Sequence, residues 1–223
     1  RTPVTILRGR LQGLADGVFP PDQALFVNLV KQTEGLARLI EDLRTLSLAE
    51  SGHMPLHAEN CEISREIAAV AELMRPSLAE RRLSLVLRLD DITLHCDAAR
   101  IRQALLALLD NARRYATPGI VMVSCFRSPE GVTIAVEDEG PGIPAEIGNT
   151  LFNTFTRGDQ SRSRESGGTG LGLAVVQAIA KAHGGKASCE TSELGGAAFK
   201  MTFTDIERYA GRGLATARKS TSP

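Results

Sequence analysis

A glycine-rich stretch at 167–173, Gly-Gly-Thr-Gly-Leu-Gly-Leu, is the first place where the residue types indicate chemistry. Four glycines within six positions keep side chains away, so backbone N–H groups can approach an anion closely. The residues that follow, 173–183, have a helical apolar pattern, and the N-terminus of a helix favours a negative group. The lysine of a P-loop and the G-x-G-x-x-G spacing of a dinucleotide site are both missing. The stretch therefore predicts an anion site or a tight turn, and for a lone glycine cluster the turn is the commoner outcome.

A second glycine-containing segment follows a strand. The alternation over 132–138 places Val132, Ile134, Val136 and Asp138 on one face, and the sequence continues Asp-Glu-Gly-Pro-Gly-Ile to Ile143. A carboxylate at the end of a buried stripe needs a partner, because burying it unpaired is costly. The exocyclic amine of adenine would suit it as a donor. A β-turn capped by Asp138 explains the hexapeptide equally well, and both interpretations stay open.

Polar residues also flank the apolar stripe of a predicted helix over 97–116. The amide oxygen of Asn111 is a suitable Mg²⁺ ligand, since Mg²⁺ usually takes few protein ligands and completes its shell with phosphates and water. Arg114 could add charge for phosphates, and Tyr115 lies one helical turn from Asn111. Taken alone, these residues are better interpreted as a solvated helix face.

The elements that must position these residues divide the chain in two. Two helices are predicted, over 1–18 and 22–50, with Asp22 as the N-cap of the second. Each carries an apolar seam, a stripe of apolar residues along one face, and together they predict an antiparallel hairpin. Pairing with a second copy as a four-helix bundle would bury both seams; packing onto the rest of the chain is the alternative. We favour the dimer, because the downstream region can close its own core.

After a linker at 51–57, region 58–204 predicts an α+β fold in which a mixed sheet has helices on one face. Helices are expected at 62–79, 97–116 and 173–183. Strands are expected at 83–89, 92–96, 120–126, 132–138, 186–191 and 197–204. The polar tail, 205–223, is predicted to be disordered.

The composition argues against several function classes. The 26 basic residues balance 26 acidic ones, which gives no support to a nucleic-acid or anionic-membrane partner. No apolar run has the length of a membrane span and no signal-peptide pattern is visible, so any anchor would have to lie upstream of Arg1. The four cysteines are scattered and predict free, buried thiols.

Four motifs in order change the balance of these interpretations. They are Asp-Asn-Ala-Arg-Arg-Tyr at 110–115, the hexapeptide at 138–143, Leu-Phe-Asn-Thr-Phe at 151–155 and the glycine stretch at 167–173. In this order they resemble the Bergerat-fold ATPases, and among them the sensor histidine kinases of two-component systems. Arg1-Thr2-Pro3 resembles the end of that family's phosphoacceptor motif, His-Glu-Leu-Arg-Thr-Pro, and the hairpin is similar to those of envelope-stress sensor kinases.

The resemblance implies a site for ATP and Mg²⁺. Asn111 would ligate Mg²⁺ with Arg114 and Tyr115 nearby, and Asp138 would accept the adenine amine. Phe152, Phe155 and Arg157 would belong to a mobile lid over 144–167. Thr2 would occupy the position that orients water for dephosphorylation of the response regulator. The remaining implied nucleotide-binding residues are Gly140, Gly142, Ile143, Gly168, Thr169, Gly170, Leu171, Gly172 and Leu173.

The implied activity is that of the cytoplasmic catalytic core of a bacterial sensor anchored in the inner membrane by an upstream segment. It would transfer the γ-phosphoryl of ATP to a His that this chain lacks, and then to an Asp in the receiver domain of a response regulator. The protein would act as a homodimer.

Two departures from the family pattern are visible. The first Asn of the helix motif is Ala107, and Asn153-Thr154 replaces an acidic and basic pair. Because Ala107 stands at the position of this Asn, a non-catalytic, nucleotide-binding dimerisation scaffold stays open as an alternative function. A related Bergerat-fold ATP hydrolase is disfavoured, because it would need a Glu base at this position.

Overall fold

A computed structural model describes residues 2–143, 148–154 and 170–204. The predicted tail, 205–223, and most of the predicted lid lie outside the described residues. In the described part, no helix combines the length and the hydropathy needed to cross a bilayer.

The N-terminal region is the predicted antiparallel hairpin, formed by α1 (Thr2–Ala15) and α2 (Gln23–Glu50). The N-cap prediction for α2 is confirmed, because Oδ1 of Asp22 accepts a hydrogen bond from the Leu25 N–H at 2.6 Å. Helix α1 ends three residues before Val18. The chain turns there, and the ring of Phe19 folds back against Gly13.

The rest of the chain forms a mixed sheet and a short ribbon. Its elements are β1 (Glu59–Glu62), α3 (Ile63–Ala79), β2 (Leu83–Leu89), β3 (Thr93–Cys96), α4 (Ala98–Tyr115), β4 (Gly119–Ser128), β5 (Gly131–Asp138), a 3₁₀ turn (Gly148–Phe152), α5 (Gly172–Ala182), β6 (Lys186–Thr191) and β7 (Ala197–Phe203). The five-stranded sheet has the order β2-β4-β5-β7-β6. Strand β2 runs parallel to β4 and the other neighbours are antiparallel. The predicted α+β class is confirmed.

Helices α3, α4 and α5 pack on one face of this sheet and close the core. The stripe predicted for α4, with Ile101, Leu105, Leu108 and Ala112, is at most 1% exposed. Alternate residues of β5 and β7 point into the same core, among them Ile134 and Met201. Helix α4 lies between the other two helices and contacts both.

Two features differ from the predictions for this region. Strand β1 was not predicted, because Glu-Asn-Cys-Glu has only Cys61 buried and carries no apolar alternation. It pairs with β3 as a separate antiparallel ribbon. Phe152, which the resemblance placed in a mobile lid, is 2% exposed and belongs to the core.

The hairpin also contacts the mixed domain. Leu46, near the end of α2, joins the core of that domain, and Thr45 is fully buried. Several apolar side chains of the hairpin stay exposed, among them Val4, Leu11, Phe26 and Val30, which are between 50% and 57% exposed. Packing onto the rest of the chain therefore covers one end of α2 and leaves the rest available to a second copy.

Candidate functional site

The N-terminus of α4 is fixed by a buried N-cap, Asp97, which is 5% exposed. Its carboxylate accepts hydrogen bonds from the Arg100 N–H at 3.1 Å and from the His57 N–H in the linker at 3.0 Å. Burial alone would raise the pKa of Asp97, but the backbone hydrogen bonds from His57, Arg100 and Ala99 outweigh it and hold that pKa below its usual value.

A histidine ties the same N-terminus to α5. Nε2 of His183 accepts the Asp97 N–H at 3.1 Å, and Nδ1 lies 2.8 Å from the Ile179 carbonyl oxygen. In this pattern Nδ1 is the donor and Nε2 the acceptor, so both ring nitrogens are in use. His183 is thus a structural histidine whose two ring nitrogens both have partners.

The other end of α4 carries the polar motif of 110–115. Asp110 accepts hydrogen bonds from Arg113 at 2.7 and 3.0 Å and from Nε of Arg114 at 2.7 Å. Burial would raise the pKa of Asp110, but the hydrogen bonds and charges of the two guanidinium groups keep it below the usual value. Asn111 is half-buried, and among the described residues its amide has no hydrogen-bond partner. Tyr115 is 44% exposed.

Asp138 is the last residue of β5 and is 5% exposed. One of its oxygens, Oδ1, accepts hydrogen bonds from the Gly140 N–H at 2.7 Å and from the Ala197 N–H at 3.2 Å. Within the described part of the chain, Oδ2 receives no hydrogen bond. A buried carboxylate is therefore oriented by two backbone donors and keeps one oxygen able to accept from a ligand.

Two glycines close tightly around this carboxylate. A Cβ on Gly140 would lie 2.6 Å from Oδ1 of Asp138 and 3.1 Å from Cα of Ala116. A Cβ on Gly196 would lie 2.3 Å from the Asp138 carbonyl oxygen and 2.4 Å from the Gly140 nitrogen. Neither Gly196 nor the Ala197 N–H was predicted from the sequence to be part of this site. The signal available was the Gly195-Gly196 pair directly before a strand.

The glycine loop meets α4 at a second point. The backbone has a φ of +72° at Gly170, and Leu171 is 2% exposed at the start of α5. A Cβ on Gly172 would lie 3.6 Å from Cβ of Ala107. The N-terminus of α5 therefore lies against α4 one turn before Asn111, and the N-terminus of a helix favours an anion.

Helix α4 thus contacts both glycine turns: Ala107 lies against Gly172, and Tyr115–Ala116 lies against Gly140. These two contacts are about 12 Å apart along the helix, and Asn111 lies between them. The predicted residues lie on three elements. Asn111, Arg114 and Tyr115 are on α4; Asp138, Gly140, Gly142 and Ile143 are at the end of β5 and in the turn after it; Gly170, Leu171, Gly172 and Leu173 are at the start of α5. Gly140 lies against Tyr115–Ala116 and Gly172 lies against Ala107, which are the contacts of the two turns with α4 described above.

The other predicted site residues cannot be placed. Phe155, Arg157, Gly168 and Thr169 lie outside the described residues. Thr2 begins α1 in the hairpin, but its side chain is not described.

Among the residues that the structure describes, acidic and sulfur ligands do not form an alternative metal site. No group of three His, Cys, Asp or Glu residues with metal-binding geometry occurs in 2–143, 148–154 or 170–204. Cys61, Cys96 and Cys125 are buried free thiols, as predicted, whereas Cys189 is only half-buried. Burial raises the pKa of Cys96 and of Cys125 to about 12, which keeps them protonated. A divalent cation at this site would depend on Asn111, ligand phosphates and water.

The chain is similar to known proteins in sequence and in fold. The profile of the histidine kinase-, DNA gyrase B- and HSP90-like ATPases matches residues 96–206. The chain is 36% identical over 196 residues to the probable sensor histidine kinase TcrY of Mycobacterium tuberculosis, covering 86% of this chain and 41% of TcrY. It is 32% identical over 215 residues to the signal transduction histidine-protein kinase BaeS of Escherichia coli, covering 93% of this chain and 46% of BaeS.

A solved structure is similar over almost its full length. The Acinetobacter baumannii histidine kinase AdeS superposes with a TM-score of 0.76 at 38% identity, covering 92% of this chain and 96% of that structure. The chain spans less than half the length of TcrY and of BaeS.

Proposed function

The chain belongs to the sensor histidine kinases, and from this we propose that it binds ATP with Mg²⁺ and donates the γ-phosphoryl group to a histidine in two-component signal transduction. The accepting histidine is absent from the sequence and would precede Arg1. From there the phosphoryl group would pass to an Asp in the receiver domain of a response regulator.

The observation that carries the proposal is the state of Asp138. A 5% exposed carboxylate is costly unless its lone pairs are used, yet the described protein donors occupy only Oδ1. An exocyclic amine is a donor that Oδ2 can accept from. Gly140 and Gly196 let the backbone pack tightly around the carboxylate, which fixes its orientation. Adenine carries an exocyclic amine and fits this requirement.

The phosphates would lie near Ala107, where α4 meets the N-terminus of α5. This is the end of the 107–116 segment that is opposite the contact with Gly140. Mg²⁺ would be held by the amide oxygen of Asn111, which has no partner among the described residues, and by the phosphates. When bound, the ion supplies charge neutralisation for phosphoryl transfer. Asp110 holds Arg113 and Arg114 beside Asn111, so their guanidinium groups add positive charge in a fixed position.

The hairpin supports a homodimer. Its exposed apolar residues include Phe26 and Val30, which line an apolar groove of about 600 Å³ at the tip of α2. Gln32 of α2 has a buried Oε1 without a partner among the described residues. A second hairpin would cover the apolar side chains and could supply a donor to Gln32.

We further propose that the site works in the cytoplasm, on a sensor anchored in the inner membrane by a segment outside this sequence. In that arrangement Thr2 would serve in dephosphorylation of the response regulator. The upstream sequence tests both points, because it should contain His-Glu-Leu directly before Arg1 and an apolar segment of about 20 residues.

The direct test of the nucleotide site is Asp138→Asn. The Asn oxygen can keep the two backbone hydrogen bonds, but its NH₂ group cannot accept the adenine amine. We expect the Kd for ATP, measured by calorimetry, to rise about a hundredfold, corresponding to about 2.7 kcal/mol. The preference for ATP over GTP should also shrink, because the amide can donate to the guanine O6. Asp91→Asn, an exposed position on the same domain, is the matched control. Unchanged ATP affinity in Asp138→Asn would overturn the adenine assignment.

One observation favours a second candidate, the non-catalytic nucleotide-binding scaffold. Ala107 lies directly against Gly172 and offers no polar atom where related kinases have Asn. The two functions are separated by incubating the full-length protein with labelled ATP and Mg²⁺. Acid-labile label on a residue upstream of Arg1 supports the kinase. ATP binding with neither label nor phosphate release supports the scaffold, and steady phosphate release without label indicates an ATP hydrolase.

A further inference from the structure

Glu139 lies in the turn after β5, between the buried carboxylate of Asp138 and Gly140, and is itself half-buried. Its backbone and its side chain are both bonded to the connection between α4 and β4. The Thr117 hydroxyl donates to the Glu139 carbonyl oxygen at 2.6 Å, and the Ile120 N–H donates to Oε2 of Glu139 at 3.0 Å. We call these two hydrogen bonds the Glu139 clamp.

The first of these bonds fixes the peptide group between Glu139 and Gly140. The carbonyl oxygen of this group accepts from Thr117, and its N–H donates to Oδ1 of Asp138 at 2.7 Å. A trans peptide group is planar, so its C=O and N–H point in opposite directions and cannot turn independently. The Thr117 hydroxyl therefore also sets the direction in which the Gly140 N–H meets the Asp138 carboxylate.

The second bond lies just past the last paired residues of β4 and β5. The pairing of these two strands ends at Val121 and Asp138. The N–H of Ile120, one residue further along β4, donates to the Glu139 carboxylate. Hydrogen bonds to a carboxylate are stronger than those between neutral groups. The side chain of Glu139 thus holds the turn at the point where it leaves the sheet.

Two glycines let the turn lie close to the end of α4. A Cβ on Gly119 would overlap Oε2 of Glu139 and would lie 3.1 Å from its Cδ. A Cβ on Gly140 would lie 3.1 Å from Cα of Ala116 and 3.4 Å from the carbonyl oxygen of Tyr115. The missing side chain at Gly119 leaves the space that the Glu139 carboxylate occupies, and the one missing at Gly140 brings the next peptide group against α4.

From these contacts we infer that Glu139 is a positioning residue for the nucleotide. It holds the Glu139–Gly140 peptide group so that Asp138 keeps the orientation in which Oδ2 accepts the adenine amine. The inference rests on the proposed function, since it concerns the base end of the proposed ATP site. Glu139 acts through Asp138 and makes no contact of its own with the base.

Nucleotide titration by calorimetry is the first test. Glu139→Ala should raise the Kd for ATP and for ADP by the same factor, about tenfold, because both ligands carry the adenine. Glu139→Gln keeps an oxygen that accepts from the Ile120 N–H, so both Kd values should stay within about twofold of those of the unaltered chain. Glu130→Ala is the matched control. Glu130 is an exposed glutamate in the turn before β5, where it pairs with Lys186, and its loss should leave both Kd values unchanged.

The second test separates positioning from a loss of folded protein. In the full-length protein, Glu139→Ala should raise the KM for ATP about tenfold and keep kcat within about twofold. The reason is that a contact at the base is made equally in the ground state and in the transition state. A purely structural role would lower the amount of active protein, which reduces the apparent kcat and leaves KM unchanged.

The third test needs no nucleotide. Amide exchange followed by nuclear magnetic resonance should be about tenfold faster at Ile120 and Gly140 in Glu139→Ala, and unchanged in Glu139→Gln. Thr117→Val removes only the bond to the carbonyl oxygen, so exchange should be faster at Gly140 and unchanged at Ile120. Slow exchange elsewhere in the sheet shows that each variant is folded.

Three results would overturn the role of Glu139. They are an ATP affinity of Glu139→Ala equal to that of Glu130→Ala, an equal loss of affinity in Glu139→Gln and Glu139→Ala, and a fall in kcat at unchanged KM. Failure of the unaltered chain to bind ATP would instead contradict the proposed function. The exchange measurement would still decide whether Glu139 holds the turn.

Discussion

Gly196→Ala is the substitution for which the structure gives the sharpest expectation. The added Cβ would lie 2.3 Å from the carbonyl oxygen of Asp138, 2.4 Å from the Gly140 nitrogen and 2.5 Å from Oδ1 of Asp138. Two of these three atoms belong to the backbone, so no flexible side chain can move aside. The turn before β7 has to shift, and with it the Ala197 N–H that donates to Asp138.

The magnitude follows from two effects. Overpacking a close-packed site costs about 1–3 kcal/mol. Losing a hydrogen bond to a buried carboxylate costs about 1.5–3 kcal/mol more. We expect the free energy of unfolding to fall by about 3 kcal/mol or more, which in a chain of this size lowers Tm by roughly 6–12 °C. ATP affinity should fall at least about tenfold, because the carboxylate loses one of the donors that orient it.

Thermal and urea denaturation measure the first effect, and calorimetric titration with ATP measures the second. Gly35→Ala is the matched control, because it lies in α2 with open space around the added methyl group and should raise stability by up to about 1 kcal/mol. A Gly196→Ala protein whose free energy of unfolding lies within about 0.5 kcal/mol of the unaltered chain would refute the reasoning from crowding.

Three further substitutions test other parts of the molecule. Asn111→Ala should raise the Kd for ATP about tenfold in the presence of Mg²⁺ and leave it unchanged with a chelator; equal losses in both titrations would contradict metal ligation. Asp110→Asn should lower the free energy of unfolding at pH 7. The difference from the unaltered chain should shrink as the pH falls below 3.8, because a carboxyl with a lowered pKa stabilises the fold only while it is ionised. A difference in urea denaturation that does not depend on pH would contradict this. His183→Phe should reduce the free energy of unfolding by about 1–3 kcal/mol through loss of two hydrogen bonds, with ATP affinity retained, and an unchanged urea midpoint would refute the tie between α4 and α5.

The sequence was most informative where a pattern repeats locally. The apolar stripe of α4 and the alternation of β5 predict both elements and the side that each buries, because helix and strand periods are properties of neighbouring residues. The N-cap at Asp22 was predictable for the same reason, since its partner is three residues away. The residues grouped around Asn111, Asp138 and Gly170 were proposed from motif order, and the fold places them on three adjoining elements.

What the sequence could not show depends on contacts between distant residues. Gly196 must be glycine because Asp138 and Gly140 surround it, 56 and more residues earlier in the chain. Arg100 and Gln103 have the sequence character of a solvated helix face, and only the position of α2 turns them into partners of Thr45. Strand β1 forms because β3 offers it an edge, which four mostly exposed residues do not predict.

A tilt at the first turns of helix α4 would displace the residues at its other end. Its first turns are hydrogen-bonded to the hairpin through Arg100, to the linker through Asp97 and to α5 through His183. Asn111 lies about 16 Å from Arg100 along the same helix. A tilt of about 5° at these first turns would displace Asn111 by about 1.4 Å. A misplacement of about 1 Å in a reacting group can change a rate a hundredfold. Under the proposed function, a small rotation of α2 would therefore change the rate of phosphoryl transfer without any change in the nucleotide itself.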